Sequence, residues 1–146
     1  MAEADYGFSR DRLRDNSTIY SSGLFSGKTV IVTGAGGGLG LAIAALFARL
    51  GANLAINGRN EKKLEDAAAF LRGFGGQVLT RSMTIRDPEQ VQNFVDAVRD
   101  SFGGFDILVN NAGGQFPQAA LEFTPKGWSA VIDTNLNGTW WMMHAA

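Results

Sequence analysis

Thr29-Val-Ile-Val-Thr33, Gly34-Ala-Gly-Gly-Gly-Leu-Gly40 and Leu41-Ala-Ile-Ala-Ala-Leu-Phe-Ala-Arg-Leu50 follow one another without a break. The first stretch is a short β-branched run, the mark of a strand buried on both faces. The last, from Leu39 to Leu50, sets apolar residues at helical spacing and stops at Gly51. A glycine cluster between a strand and a helix has a defined use. The helix N-terminus exposes unpaired N–H groups and the positive end of the macrodipole, which together favour a pyrophosphate. Gly34 permits the tight turn, Gly38 lets the backbone approach the phosphates, and Gly40 lets helix and strand pack closely.

Outward from this turn the alternation repeats. Ala52 to Asn57 reads as strand and Glu61 to Phe74 as helix, stopped by Gly75-Gly76. Val78 to Ile85 reads as strand. Pro88 to Phe102 reads as helix, with Asp87 as N-cap and proline at the first helical position. Phe105 to Val109 is a fourth strand, and Thr124 opens a last helix running toward Ala146. Such units predict right-handed crossovers and a parallel sheet covered on both faces. The fold class is therefore α/β: the first half of a Rossmann-type doubly wound sheet, four strands in order 3-2-1-4 with flanking helices. Residues 1–26 have mixed charge, few aliphatics and no period, and read as a flexible N-terminal arm. Residues 27–146 form the dinucleotide-binding domain, which reads as incomplete at its C-terminal end.

Composition narrows the partners. Thirteen basic against fourteen acidic residues give a net charge of −1, without the basic field that nucleic acid or a membrane surface requires. There is no cysteine, and His144 is the single histidine. A thiolate site or a histidine-rich metal site is thereby excluded, and no metal is expected. The N-terminus lacks the basic and apolar regions of a signal peptide, so a cytoplasmic location is expected. Gly27-Lys28-Thr29 mimics the end of a P-loop. Ser22 stands where the earlier glycine is required, and the segment precedes a strand instead of following one.

Thr33-Gly-x-x-x-Gly-x-Gly40, Asn110-Asn-Ala-Gly113 and Asn135 within Asp-Thr-Asn-Leu-Asn-Gly stand in the order and spacing of the short-chain dehydrogenase/reductase family, which residues 27–146 resemble. The resemblance implies that Gly34, Gly38, Leu39 and Gly40 line the pyrophosphate, largely through backbone groups. It places Asn111, Ala112 and Gly113 beside the adenosine ribose and the nicotinamide side. Asn110-Asn111 also read as turn asparagines stabilising a strand end, and both readings hold together. Asn135 would be a member of the catalytic set, holding through a helix backbone group a water that relays protons to an active-site lysine. Gly114-Gln115-Phe116 and Lys126-Gly-Trp128 are similar to the enoyl-CoA and dienoyl-CoA reductase branches.

Cofactor choice turns on Arg59. An acid at the end of the second strand would bond the 2′-hydroxyl of NAD. Here Gly58-Arg59-Asn60 stands there, and a guanidinium pairs a 2′-phosphate with charge-assisted bonds. The second basic position that many NADP-preferring relatives use, inside the glycine loop, is Gly37. NADP is the expected cofactor, with NAD the alternative. Thr84 stands where many relatives place an aspartate toward the adenine. The family's proton donor is a tyrosine four residues before a lysine, beyond Asn135. Tyr6 and Tyr20 are the tyrosines present, and Arg10 and Leu24 stand four positions after them. The expectation is an NAD(P)(H)-dependent oxidoreductase acting on a carbonyl, alcohol or enoyl substrate, an acyl-CoA among them. It takes a small-molecule substrate and forms a homo-oligomer in complete form, and the 146-residue chain alone is inactive. The alternative is a non-catalytic dinucleotide-binding module. A methyltransferase of similar topology would want an acid after the second strand and no Asn-Asn-Ala-Gly.

Overall fold

The computed structural model describes residues 8–115 and 118–146. β1 (Thr29–Val32), β2 (Asn53–Gly58), β3 (Val78–Ser82) and β4 (Ile107–Val109) form one parallel sheet in order β3-β2-β1-β4. The order is the expected one. Successive strand side chains point to opposite faces, and the core divides accordingly. Val30, Val32, Leu54 and Ile56 pack on one face against α2 (Gly38–Arg49) and α3 (Glu61–Arg72). Ile31 and Ala55 pack on the other against α4 (Pro88–Phe102), where Val91, Phe94, Val95 and Val98 are buried. β1 is buried at every position, as a strand covered on both faces must be. Its short β-branched run needs no polar alternation.

Helix starts follow their caps. Asn60 Oδ1 accepts from Lys63 N at 2.9 Å, and Asp87 Oδ1 accepts from Glu89 N at 3.0 Å and Gln90 N at 3.2 Å. Thr124 Oγ1 accepts from Gly127 N at 3.1 Å and opens α5 (Pro125–Ile132). The last helix is not continuous. A π turn, Asp133–Asn137, separates α5 from α6 (Gly138–Ala145).

The arm departs from its sequence reading. Where no element is expected, Arg10–Asp15 form a helix, α1. Ser9 caps its start, and Arg49 of α2 donates Nη1 to Leu13 O at 3.1 Å and Nη2 to Asn16 O. Leu13 and Phe25 pack against the α2–α3 side of the core, and Phe25 meets Phe47 edge-on at 4.9 Å. One leucine in a six-residue charged run leaves no period to read. The helix is held by tertiary partners. Lys28, from the P-loop mimic, forms an ion pair with Asp106 at 2.7 Å, and Thr29 N donates to the other Asp106 oxygen at 2.9 Å. Those two bonds hold the Asp106 carboxyl below the usual carboxylate range. The segment ties β1 to the start of β4 and faces no phosphate-binding turn.

Candidate functional site

The site is built where β1 and β4, neighbours in the sheet, both end. Thr33 joins them. Its N–H donates to Val109 O at 3.0 Å, and its hydroxyl accepts from Asn111 N at 3.0 Å and Ala112 N at 2.9 Å while donating to Val109 O at 3.3 Å. Asn111 Nδ2 reaches back to Thr33 O at 2.8 Å. Two segments nearly eighty residues apart are thus fixed side by side. The Asn110-Asn111 pair divides its work: Asn111 braces the turn, and Asn110 Oδ1 is buried with no partner among the described residues.

From the other neighbour, β2, Asn57 completes the brace. Its Oδ1 accepts from Gly34 N at 3.0 Å, and its backbone O accepts from Ala35 N at 3.1 Å. Gly34 sits at φ +69° and Gly38 at φ +55°, in the left-handed region that favours glycine. Gly40 is required for space. A Cβ there would lie 2.5 Å from both Gly34 O and Asn111 Nδ2. The close approach expected of Gly40 is therefore present, with a strand-end asparagine filling the gap. Gly37, the N-cap of α2, is extended and supplies no side-chain bond, and the first turn contains no acid. The leading N–H groups of α2 are left for another acceptor.

A cleft of about 460 Å³ opens over this turn. Gly34, Gly36, Gly37 and Gly38 form its floor. Asn57, Gly58, Arg59, Asn60 and Lys63 form one wall, and Asn111, Ala112 and Gly113 the wall opposite. Met83, Thr84, Ile85, Arg86 and Thr134 close the remaining side. The lining contains three cations and no carboxylate. Gly34, Gly38, Arg59, Asn111, Ala112 and Gly113 are thus brought together. Leu39 and Gly40 do not line the cleft: the Leu39 side chain is exposed, and Gly40 lies beneath the floor. Thr84 lines it, and its hydroxyl accepts from Arg86 N at 3.3 Å. Asn57 Nδ2 is buried at the cleft with no partner among the described residues.

Asn135 lies in the π turn, beside the cleft and outside its lining. Its amide bridges the loop after β4. Nδ2 donates to Gly114 O at 2.7 Å and Val131 O at 2.8 Å, and Gly114 N donates to Oδ1 at 3.2 Å. A Cβ on Gly113 would lie 2.6 Å from that Oδ1, so the third residue of Asn111-Ala112-Gly113 must be glycine for the bridge to close. The corner after β3 grips the turn on both sides. Ile85 packs where a Cβ on Gly138 would come within 2.7 Å, and Arg86 donates Nε to Thr134 Oγ1 at 2.6 Å and Nη2 to Ala130 O at 2.7 Å. Of the substrate-side candidates, Gln115 is exposed, and Trp128 is exposed against the edge of Phe123 at 6.5 Å. Phe116 lies outside the described residues, as does Tyr6. Tyr20 lines a separate apolar groove with Leu46, Phe47 and Leu50 on the arm side of α2.

The residues fit a dinucleotide phosphate on three counts. Gly36, Gly37 and Gly38 put no side chain of their own into the cleft, the α2 N–H groups lack a side-chain acceptor, and the walls are cationic. Residues 28–146 match the family described as short chain dehydrogenase. The chain belongs to the short-chain dehydrogenase family. Among curated relatives of this family, it is 39% identical over 120 residues to the peroxisomal 2,4-dienoyl-CoA reductase of Arabidopsis thaliana, which covers 82% of this chain and 40% of that protein. Among solved short-chain dehydrogenases, L-sorbose reductase from Gluconobacter frateurii, complexed with NADPH and L-sorbose, superposes with a TM-score of 0.80 at 36% identity. That match covers 83% of this chain and 46% of the reductase. A short chain dehydrogenase from Mycobacterium paratuberculosis bound to NAD gives 0.80 at 27% identity, covering 84% of this chain and 50% of that one. The chain therefore spans about half the length of these relatives or less. Relatives hold either dinucleotide.

Sequence reasoning missed the bracing roles of Thr33 and Asn57 and the place of Lys63 in the cleft wall. Thr33 heads the quoted glycine motif, but its acceptor role appears only once β4 lies beside it. Asn57 left a signal: an amide within an otherwise apolar buried run needs an internal partner.

Proposed function

We propose that the protein is a nicotinamide-dinucleotide-dependent oxidoreductase that prefers NADP(H). The observation that carries the reading is the cleft: a glycine floor at an uncapped helix start, walled by cations with no carboxylate. The floor and the α2 N–H groups would hold the pyrophosphate. Arg59, at the end of β2 where an acid would select a ribose hydroxyl, would pair the 2′-phosphate. Asn57 Nδ2 would find its missing acceptor on the bound nucleotide. When bound, the group supplies the hydride acceptor or donor. The chain's part is to cradle and orient it, and to hold Gly113-Gly114 through Asn135, the residue we assign to the catalytic set. In the family's pattern the proton donor is a tyrosine four residues before a lysine, and Tyr20, on the far side of α2, is not placed for that role.

Arg59→Ala in the full-length protein tests the preference. Losing a charge-assisted phosphate contact of about 1.5–3 kcal/mol should weaken NADPH roughly ten- to hundredfold and leave NADH nearly unchanged. Equal losses for both cofactors would remove Arg59 from the 2′-phosphate. For substrate, we favour an acyl-CoA with a conjugated or isolated enoyl bond, on the likeness to the dienoyl-CoA reductases and on the exposed Gln115 and Trp128. Turnover of enoyl-CoA and dienoyl-CoA over small ketones and sugars supports this. Activity confined to polyols or ketoses, of the kind bound in the sorbose reductase relative, rejects it. We also propose assembly as a homo-oligomer. Leu136, Trp140 and Met143 repeat at helical spacing and remain exposed, while Met142 is buried in the core.

A further inference from the structure

We infer that Lys63, from the first turn of α3, is the second cation of the 2′-phosphate subsite, and that it reaches the phosphate across a glycine turn that supplies no cation of its own. The inference rests on the reading of NADP(H) given above. A phosphate monoester carries about −1.5 to −2 charges near neutral pH, and Arg59 neutralises one. Three cations line the cleft, and their partners separate them. Arg86 is committed to Thr134 and Ala130. Arg59 and Lys63 have no ion pair or side-chain hydrogen bond among the described residues. They bracket Asn60, whose side chain caps α3 by accepting from Lys63 N. One cation thus leaves the end of β2 and the other leaves the helix start on the same wall.

Gly36 decides where the lysine stands. A Cβ on Gly36 would lie 3.7 Å from Lys63 Cβ and 3.7 Å from the Lys63 carbonyl carbon. The root of the lysine therefore stands beside the glycine floor, where a side chain at Gly36 would pack against its stem. The first turn of a helix repels a cation through its dipole, so Lys63 gains nothing from α3 itself. A lysine held at a helix start, over a phosphate-binding turn and without an acidic partner is placed for an anion. Its point charge complements the planar fork of Arg59.

The test uses the full-length protein and two probes, adenosine 2′,5′-bisphosphate and adenosine 5′-monophosphate, which differ by the 2′-phosphate. Lys63 is exposed, so Lys63→Gln should fold normally, with a thermal melt as the check. We expect Lys63→Gln to weaken the bisphosphate about five- to tenfold and the monophosphate less than about twofold, with Lys63→Arg restoring the difference. Equal affinity changes for both probes, or none, overturn the assignment of Lys63. Arg59→Gln separates the two readings. If it abolishes discrimination while Lys63→Gln does not, the lysine role alone fails. If the unaltered protein does not discriminate the probes, the NADP(H) reading fails and the lysine role with it.

Discussion

Thr33 contributes one hydroxyl and three hydrogen bonds, two accepted from backbone N–H groups of the strand-end loop and one donated to Val109 O. Valine has the same shape and none of these bonds. Thr33→Val should leave the Ala112 N–H unpaired and the Asn111 N–H with its 3.1 Å bond to Val109 O alone, at about 1–3 kcal/mol for the orphaned group. A urea titration should show the loss, and Thr33→Ser should recover most of it. A stability equal to wild type would mean that the loop finds other acceptors. At this scale the sequence was legible where the backbone alone constrains the residue. Gly34 and Gly40 could be assigned because a tight turn and a helix–strand contact each exclude a Cβ, and Gly38 takes the positive φ that favours glycine. Thr33 and Asn57 could not be assigned, since their partners lie across the sheet and are adjacent to them only after folding. Leu39 was named from the motif, yet its side chain faces solvent, and only its backbone belongs to the turn.

Among the elements, α4 shows how a local signal sets a boundary. Asp87 accepts from the Gln90 and Glu89 N–H groups, and Pro88 supplies a first helical position that needs no donor. The Gln90 backbone N–H, with smaller help from the Gln90 side chain and the Glu89 N–H, holds the Asp87 carboxyl below its ordinary range. A carboxyl depressed in the folded state contributes stability above its unfolded value, and loses that contribution as pH falls through the folded value. Asp87→Asn keeps the cap and removes the titration. Its melting temperature should fall less steeply than wild type as pH drops below the ordinary carboxylate range. Parallel slopes would show that the cap does not titrate with folding. The break between α5 and α6 left no such signal. Thr124 announces the start of the helix, but the π turn depends on Ile85 packing at Gly138 and on Arg86 reaching Ala130, contacts made by a corner some fifty residues away. α1 was missed for the same reason, being held by Arg49 and by contacts of Leu13 with the core.

For the whole molecule, four strands in order 3-2-1-4 and two buried faces could be read from strand–helix alternation, because each βα unit fixes its own face of the sheet. The placement of chemistry could be read only in part. The cleft gathers the glycine turn, three cations and the strand-end asparagines, while Tyr20 sits in a groove on the arm side of α2. A general acid or base typically contributes 10²–10⁴-fold, and among the described residues no tyrosine lines the cleft. Residues 1–146 alone should therefore bind nucleotide more readily than they turn over substrate. An assay with NADPH over enoyl-CoA and ketone substrates, beside a titration of nucleotide binding, checks this. Turnover at rates ordinary for an enzyme would move the acid/base onto residues 1–146.

The bridge between Asn135 and Gly114 has a consequence for motion. A side-chain amide there both donates and accepts, as a neighbouring strand's peptide would, so the Gly114 N–H is sealed by a helix in place of a sheet. A π turn holds one residue more than the regular helix. Relaxing it would rotate one flank against the other by about 100° and draw the amide away. Loop opening and helix register are then a single variable, and deuterium exchange at Gly114 reads it. In Asn135→Ala that amide should exchange rapidly while those of β4 keep their protection. Simultaneous loss along β4 would instead mean that the loop opens with the sheet.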